Sequence, residues 1–376
     1  MTTVFWISCG LLLYVYVGYP ILAWLLASLV GREPARRAIV PSVSLLIPAR
    51  NEEAQIEAKV RNSLALDYPR ARLEIVVASD GSTDRTGAIV KGFAPRGVRL
   101  LEARDHVGKS ALLGQAVPQL RGELVVFSDA SSQLEPQALR RLVQSFADAR
   151  VGCVSGLYRL HSPEDLRAHG EGLYWRYETF LKRQESRLHS ILGAHGALYA
   201  IRKELFQRLD AASINDDYLI PMRIVEQGYR AVYEPAAVAW EQEPASLKGE
   251  FARRRRIAAG NCQQVFALRR LLHPARGWLA WSFFSHKVLR TVAPLFMVSL
   301  LVNSLWLARP WAFAALGIQA ALYLSAVAGY LCQRAGKTVR WLSPPLYFCL
   351  GNLAMLTGLL RFCFSRQRLA WDRARS

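Results

Sequence analysis

Hydrophobic and polar positions divide the chain into stretches of three kinds. From Val4 to Val30 no charged residue occurs, and Leu, Val, Tyr and Trp dominate. At about 1.5 Å rise per residue, such a run crosses a hydrocarbon core of about 30 Å as one helix. A cleaved signal peptide would want a basic start and a shorter apolar run, whereas this chain begins Met-Thr-Thr-Val. A retained span within residues 1–34 is therefore expected.

Between residues 40 and 245 the apolar runs are short and alternate with helical periodicity. Val43 to Ile47, stopped by Pro48, reads as a buried strand, as do Leu73 to Ala78 and Leu124 to Phe127. Asn51 to Leu64 reads as a helix capped by Asn51, and Thr83 to Phe93 as another. Strands alternating with helices predict an α/β domain with a mainly parallel sheet, with ligands at the carboxyl ends of the strands. Residues 246–290 interleave Arg253 to Arg256, Arg269, Arg270, Arg276, Lys287 and Arg290 with Phe, Leu and Trp, the pattern of amphipathic helices at a membrane face. Within residues 291–376, Thr291 to Leu307 and Trp311 to Leu331 read as two crossings. Pro345 to Leu360 reads either as a third or as a re-entrant or interfacial helix. Hydrophobicity favours the first reading. The second keeps Arg366, Arg368, Arg373 and Arg375 on the inner side.

Charge sharpens this picture. Lys and Arg number 48 against 29 Asp and Glu, a net +19, which suits an anionic membrane surface or an anionic substrate. Because the basic excess sits beside apolar helices, without aromatic–basic alternation on a soluble face, no nucleic-acid partner is expected. Arg32, Arg36 and Arg37 follow the first apolar run and no basic residue precedes it. The positive-inside rule thus predicts a multi-pass protein of the inner (plasma) membrane with its central domain in the cytoplasm. The six cysteines form no CxxC pair, so neither a zinc site nor a disulfide framework is predicted.

Four polar clusters punctuate the central domain: Ile47-Pro-Ala-Arg-Asn-Glu-Glu53, Ala78-Ser-Asp-Gly-Ser-Thr-Asp84, Phe127-Ser-Asp-Ala-Ser-Ser132 and Ile214-Asn-Asp-Asp-Tyr218. The Arg253-Arg-Arg-Arg-Ile257 run follows them. Val107-Gly-Lys-Ser110 lacks the upstream glycine spacing of a P-loop. A carboxylate can accept a base's ring N–H, and one close to an acceptor hydroxyl can take its proton. Taken singly, Asp80 beside Gly81 is also a turn former, and Glu52, Asp216 and Asp217 also suit helix starts.

In order and spacing these clusters resemble the family-two glycosyltransferases, specifically the membrane-integrated branch that holds cellulose, chitin and hyaluronan synthases. The resemblance runs over about residues 40 to 260. It implies a GT-A fold, a nucleotide-diphosphate sugar donor (a UDP-sugar), a divalent cation (Mg²⁺ or Mn²⁺) and inversion at the anomeric carbon. On that pattern Ala49, Glu52 and Asp80 match nucleotide contacts, and Lys109 a donor contact. Asp129-Ala-Ser131 stands where the family has Asp-x-Asp, making Asp129 a donor and metal contact and Ser131 a metal contact. His195, in the Gly193-Ala-His-Gly196 loop, is a third metal candidate. Asp217 occupies the place of the catalytic base with Asp216 beside it, and Arg256 that of the diphosphate-binding arginine. Ile257 stands where the family has Trp, and Arg253 to Arg255 read as a membrane-facing patch. Trp371-Asp-Arg-Ala-Arg375 is similar to a cytosolic tail in hyaluronan and chitin synthases. The expected acceptor is a growing cell-surface polysaccharide. The alternatives are a lipid carrier or glycolipid receiving one sugar, and a non-catalytic nucleotide-sugar sensor.

Overall fold

The computed structural model describes residues 1–161, 168–242, 247–337 and 339–364. The tail from Ser365 onward, with Trp371 to Arg375, lies outside the described residues. Eight strands form one mixed sheet in the order β3-β2-β1-β4-β7-β6-β8-β5. They are β1 (Val43–Ala49), β2 (Leu73–Asp80), β3 (Val98–Ala103), β4 (Leu124–Phe127), β5 (Ser132–Leu134), β6 (Val151–His161), β7 (Tyr199–Arg202) and β8 (Arg230–Gln242). Pairings β1–β2, β2–β3, β1–β4 and β6–β8 are parallel, while β4–β7, β6–β7 and β5–β8 are antiparallel.

The central strands read as continuous apolar runs because both faces are covered. Alternation at period two still sorts their side chains. Leu45, Ile47, Val77 and Val126 enter the core on one face, and Leu46, Val76, Val125 and Phe127 the core on the other. The parallel strands β1, β2 and β4 all run toward one edge, so Ala49, Asp80 and Phe127 end there together.

Helix boundaries moved where caps had been inferred. The first helix after β1 is Ile56–Leu64, not Asn51 onward. Asn51 adopts φ +53°, and its Oδ1 accepts from the Thr83 N–H (2.9 Å), so its side chain ties the first polar cluster to the second rather than capping a helix.

Among the described residues, four helices are long and apolar enough to cross a membrane: α1 (Thr2–Val30), and three after the sheet, Trp278–Trp306, Pro310–Arg334 and Arg340–Phe364. The second begins well before Thr291, so the 278–290 part of the expected interfacial region belongs to a long apolar helix. Three helices of the central region frame the site and are called α2 (Lys109–Ala116), α3 (Ala168–Leu188) and α4 (Asp216–Glu226). Beyond them α5 (Leu247–Ala267) carries the arginine run, followed by the apolar α6 (Trp278–Trp306), α7 (Pro310–Arg334) and α8 (Arg340–Phe364).

Helix α8 lies along α5. A side chain at Gly358 would meet Ala258 Cβ at 2.7 Å, and Phe266 stacks on Phe362 with centroids 5.6 Å apart. A polar seam joins α3 to the apolar helices. The Tyr19 hydroxyl donates to Glu185 Oε1 (2.6 Å), His286 Nδ1 sits 2.6 Å from the same oxygen, and Arg290 donates to Glu178.

Candidate active site

A cavity of about 450 Å³ opens at the carboxyl edge of the sheet, between α3, α4 and α5. Local backbone geometry delivers each charged group to it. Asp80, fully buried at the end of β2, accepts the N–H groups of Val107 (2.8 Å) and Gly108 (3.0 Å), and its Oδ2 lies 2.7 Å from His106 Nδ1. Gly81 (φ +57°) lets this loop pass, since a Cβ there would stand 2.7 Å from Asp105 C and His106 N. Gly108 (φ +89°) then turns the chain so that Lys109 opens α2.

The Lys109 ammonium lies between two carboxylates, 2.9 Å from Asp129 Oδ1 and 3.3 Å from Asp216 Oδ2. Burial alone would lower its pKa, but Asp129, Asp216 and Asp217 together raise it, so it stays charged. Asp129 is pushed up by burial and pulled down further by Lys109, leaving it ionised. Burial and the Asp129 charge raise Asp216 despite Lys109. Burial and the adjoining Asp216 push Asp217 up to about 6.

Asp216 and Asp217 form the first turn of α4, where the helix's positive end favours them. Gly196 makes room for both acidic clusters. A Cβ there would stand 2.9 Å from Asp129 Oδ2 and 3.3 Å from Asp217 Oδ2. Gly260 of α5 likewise admits Asn215, whose Nδ2 would lie 2.5 Å from a Cβ. That close approach seats α5 so that Arg256, one turn earlier, lines the cavity. Burial and neighbouring Arg253 lower the Arg256 pKa from the ordinary arginine value.

The structure therefore brings Lys109, Asp129, His195, Asp216, Asp217 and Arg256 together around one cavity. Ala49, Glu52, Asp80 and Ser131 are not in its lining. Asp80 is sealed under the loop it holds. Ser131 donates its hydroxyl to Glu241 Oε1 (2.6 Å). His195 lines the cavity wall, but its ring is boxed by Trp175 (5.4 Å), Tyr158 and Tyr233 (both 6.1 Å). Burial and Lys182 depress its pKa, keeping the ring neutral. Nor are Arg253 to Arg255 one membrane-facing patch. Arg253 shares the cavity with Arg256 at i, i+3, while Arg255 is exposed.

Two buried lysines were missed in the sequence. Lys182 of α3 donates to the Gly193 carbonyl and lines the cavity, its pKa drawn down to about 8 by burial and Lys287. Lys59 lies beneath the Asp129 loop, donating to Ser128 Oγ (2.6 Å) and to Ser132 O (2.7 Å) and Oγ (3.2 Å). Burial lowers its pKa to about 7, against the pull of Asp129 and Glu241. The signal for Lys182 was available: Glu178, Lys182 and Glu185 fall at helical spacing on one face of α3.

This fold and this gathering of acidic and basic groups belong to a known class. The profile of "Glycosyltransferase like family 2" matches residues 41–260, and the chain is a member of that family. It is 30% identical over 233 residues to "Probable glycosyltransferase YdaM" of Bacillus subtilis (strain 168), covering 59% of this chain and 56% of that protein. To "Poly-beta-1,6-N-acetyl-D-glucosamine synthase" of Staphylococcus aureus (strain COL) it is 25% identical over 224 residues, covering 58% of this chain and 54% of that protein. The chain thus spans about half the length of the curated relatives it matches. Among solved structures, the mannosyltransferase PcManGT from Pyrobaculum calidifontis, in complex with GDP-Man and Mn²⁺, superposes with a TM-score of 0.75 at 23% identity. That match covers 97% of this chain and 100% of PcManGT, and it identifies the fold as GT-A.

Proposed function

We propose that the chain is an inverting glycosyltransferase that moves a sugar from a nucleotide-diphosphate donor, a UDP-sugar, onto a hydroxyl of a cell-surface polysaccharide. The observation that carries this reading is the Asp216–Asp217 pair facing Lys109, Asp129 and Arg256 across one cavity. Asp217, its proton affinity raised toward neutrality, accepts the acceptor hydroxyl proton as that oxygen attacks the anomeric carbon. The bond from that carbon to the diphosphate oxygen breaks, and its electron pair leaves with UDP. Attack from the opposite face inverts the centre. Lys109 and Arg256 offset the charge that builds on the leaving diphosphate, Arg256 through a forked pair of N–H groups. Asp216 orients Lys109.

Asp129 is the residue suited to hold a divalent cation, Mg²⁺ or Mn²⁺. Its Oδ2 faces the space that Gly196 leaves open, and one carboxylate with donor phosphates is a usual set of hard oxygen ligands. Such a cation would supply further positive charge to the diphosphate. Family membership and the titles of the relatives, a polysaccharide synthase among them, support the reaction class. Four apolar helices and the basic residues after α1 support a multi-pass protein of the plasma membrane with its catalytic domain cytoplasmic, residues 40–245 forming that domain.

The test is a nucleotide-release screen on the full chain in lipid nanodiscs, with a panel of nucleotide sugars and mass analysis of the product. Release that depends on metal and donor, with a polymeric product of inverted linkage, is expected. Release from no donor refutes the transferase; a single-sugar lipid product refutes the polymer.

A further inference from the structure

One fully buried charge takes no part in the chemistry above. Lys59 stands on the helix Ile56–Leu64, beside the equally buried Ile56 and Val60, and has no exposed surface. An ammonium in such a place is costly unless each of its three N–H groups finds an acceptor. Each does: Ser128 Oγ at 2.6 Å, Ser132 O at 2.7 Å and Ser132 Oγ at 3.2 Å. Asp129 and Glu241 are the carboxylates its charge faces, and Asp129 is held ionised in part by it.

These acceptors bracket Asp129, one on its N-terminal side and two on its C-terminal side. The two hydroxyl oxygens stand 3.0 Å apart and could donate to one another. With Lys59 donating to both, their own protons serve backbone carbonyls. Ser132 donates to Asp129 O (2.9 Å), and Ser128 to Ala197 O (2.7 Å). Ala197 follows Gly196, whose missing side chain leaves the space between Asp129 Oδ2 and Asp217 Oδ2. The knot around Lys59 therefore fixes the Asp129 loop and its distance from the Gly196 turn together. Three residues along the same helix, the Asn62 amide exchanges two 2.9 Å hydrogen bonds with the Leu134 backbone, which registers the helix on the far end of the loop. Without the ammonium, the two hydroxyls can pair with each other and release a carbonyl.

We infer that Lys59 is a positioning residue for Asp129, knotting its loop to the Gly196 turn so that the carboxylate keeps its place at the opening for cation and diphosphate. It rests on the assignment of Asp129 as the cation's carboxylate, and extends it to a residue that touches neither cation nor donor. Groups that orient a metal's ligands in this way typically change metal affinity about 10- to 100-fold when removed.

The test measures UDP affinity by calorimetry on the full chain in lipid nanodiscs, once with Mn²⁺ and once with EDTA. Tighter binding with Mn²⁺ is expected of the wild type. Lys59→Met keeps the side-chain length and removes the charge. It should weaken binding in Mn²⁺ about ten-fold and leave binding in EDTA within about two-fold. A general loss of packing would weaken both. Asp129→Asn should weaken binding in Mn²⁺ at least as much, and adding Lys59→Met to it should change nothing further, because the two act through one carboxylate. If Lys59→Met fails to fold, Ser132→Ala serves. It removes the hydroxyl between Lys59 and the Asp129 carbonyl, and the same Mn²⁺-specific loss is expected. Unweakened binding in the folded variant, equal losses in Mn²⁺ and EDTA, or a further loss on top of Asp129→Asn each overturns the inference and leaves the cation assignment standing. If the wild type shows no Mn²⁺ dependence, or Asp129→Asn retains it, the cation assignment falls and the inference with it.

Discussion

Gly196→Ala offers a clean perturbation of the catalytic chamber. The residue has no left-handed backbone, so alanine is conformationally acceptable. What it adds is one carbon, 2.9 Å from Asp129 Oδ2 and 3.3 Å from Asp217 Oδ2. Ordinary contact for such a carbon begins at about 3.4 Å, so Asp129 must retreat by roughly 0.5 Å, and the pocket between the two carboxylates fills. Asp129 cannot swing freely, because Lys109 holds its other oxygen at 2.9 Å. A misplacement of about 1 Å can cost roughly 100-fold in rate, so about a ten-fold fall in kcat follows for this smaller shift. The requirement for divalent metal should rise in parallel, since the added methyl occupies the approach to Asp129. The assay is steady-state nucleotide release against metal concentration, with a thermal melt as control. A melt within a few degrees of wild type, a ten-fold lower kcat and a raised half-saturating metal concentration are expected. Unchanged kcat and metal dependence would refute the assignment of this space to cation and substrate.

Three further outcomes follow from the same geometry. Asp217→Asn should lower turnover about 10²- to 10⁴-fold while leaving donor binding, read by calorimetry, intact. Because the folded pKa of Asp217 is raised, its charge destabilises the fold increasingly as pH climbs from the usual carboxylate range through about 6. The variant should therefore melt slightly higher than wild type at neutral pH, and wild-type kcat/KM should rise with pH through an apparent pKa near 6. Lys109→Met leaves the Asp129, Asp216 and Asp217 carboxylates facing one another without the ammonium between them, and should cost about 3 kcal/mol, read as a lower Tm. Glu185 is held below the ordinary glutamate range: burial opposes its charge, but His286 and the Tyr19 hydroxyl outweigh burial. Its stabilisation is present above about pH 4.5 and lost on acidification. The melting gap between wild type and Glu185→Gln should accordingly close as pH falls below that point.

The parallel half of the sheet was legible because its strands are buried on both faces and bounded by punctuation. Leu124 to Phe127, between Gly122 and Ser128-Asp129, emerged with its ends as read. The half beyond β4, where parallel and antiparallel pairings mix, was not. β6 and β8 contain Gly156 and Pro235 and mix polar with apolar positions, so neither gives a clean run or alternation. Asp129, Asp216, Asp217, Lys109 and Arg256 were singled out by resemblance to the family's motifs, and they share the cavity. What the resemblance could not supply was direction. Ser131 faces Glu241 and Asp80 faces its own loop because hydrogen-bond partners distant in sequence claim them. Lys59 carries no motif that would single it out, and three acceptors from the Asp129 loop draw it inside.

The seam of Tyr19, Glu178, Glu185, His286 and Arg290 bears on modularity. Catalytic domains are often expressed as soluble fragments, cut free of the apolar helices at the linkers on either side. Here such cuts would strip Glu178 and Glu185 of every one of these partners and bare two buried carboxylates on the flank of α3, with Lys182 left as their counter-charge on that face. That same helix supplies Lys182 and Trp175 to the catalytic chamber. The excised fragment would thus lose the rigidity of one chamber wall along with its anchor, which makes the apolar helices part of the enzyme's architecture as much as its moorings.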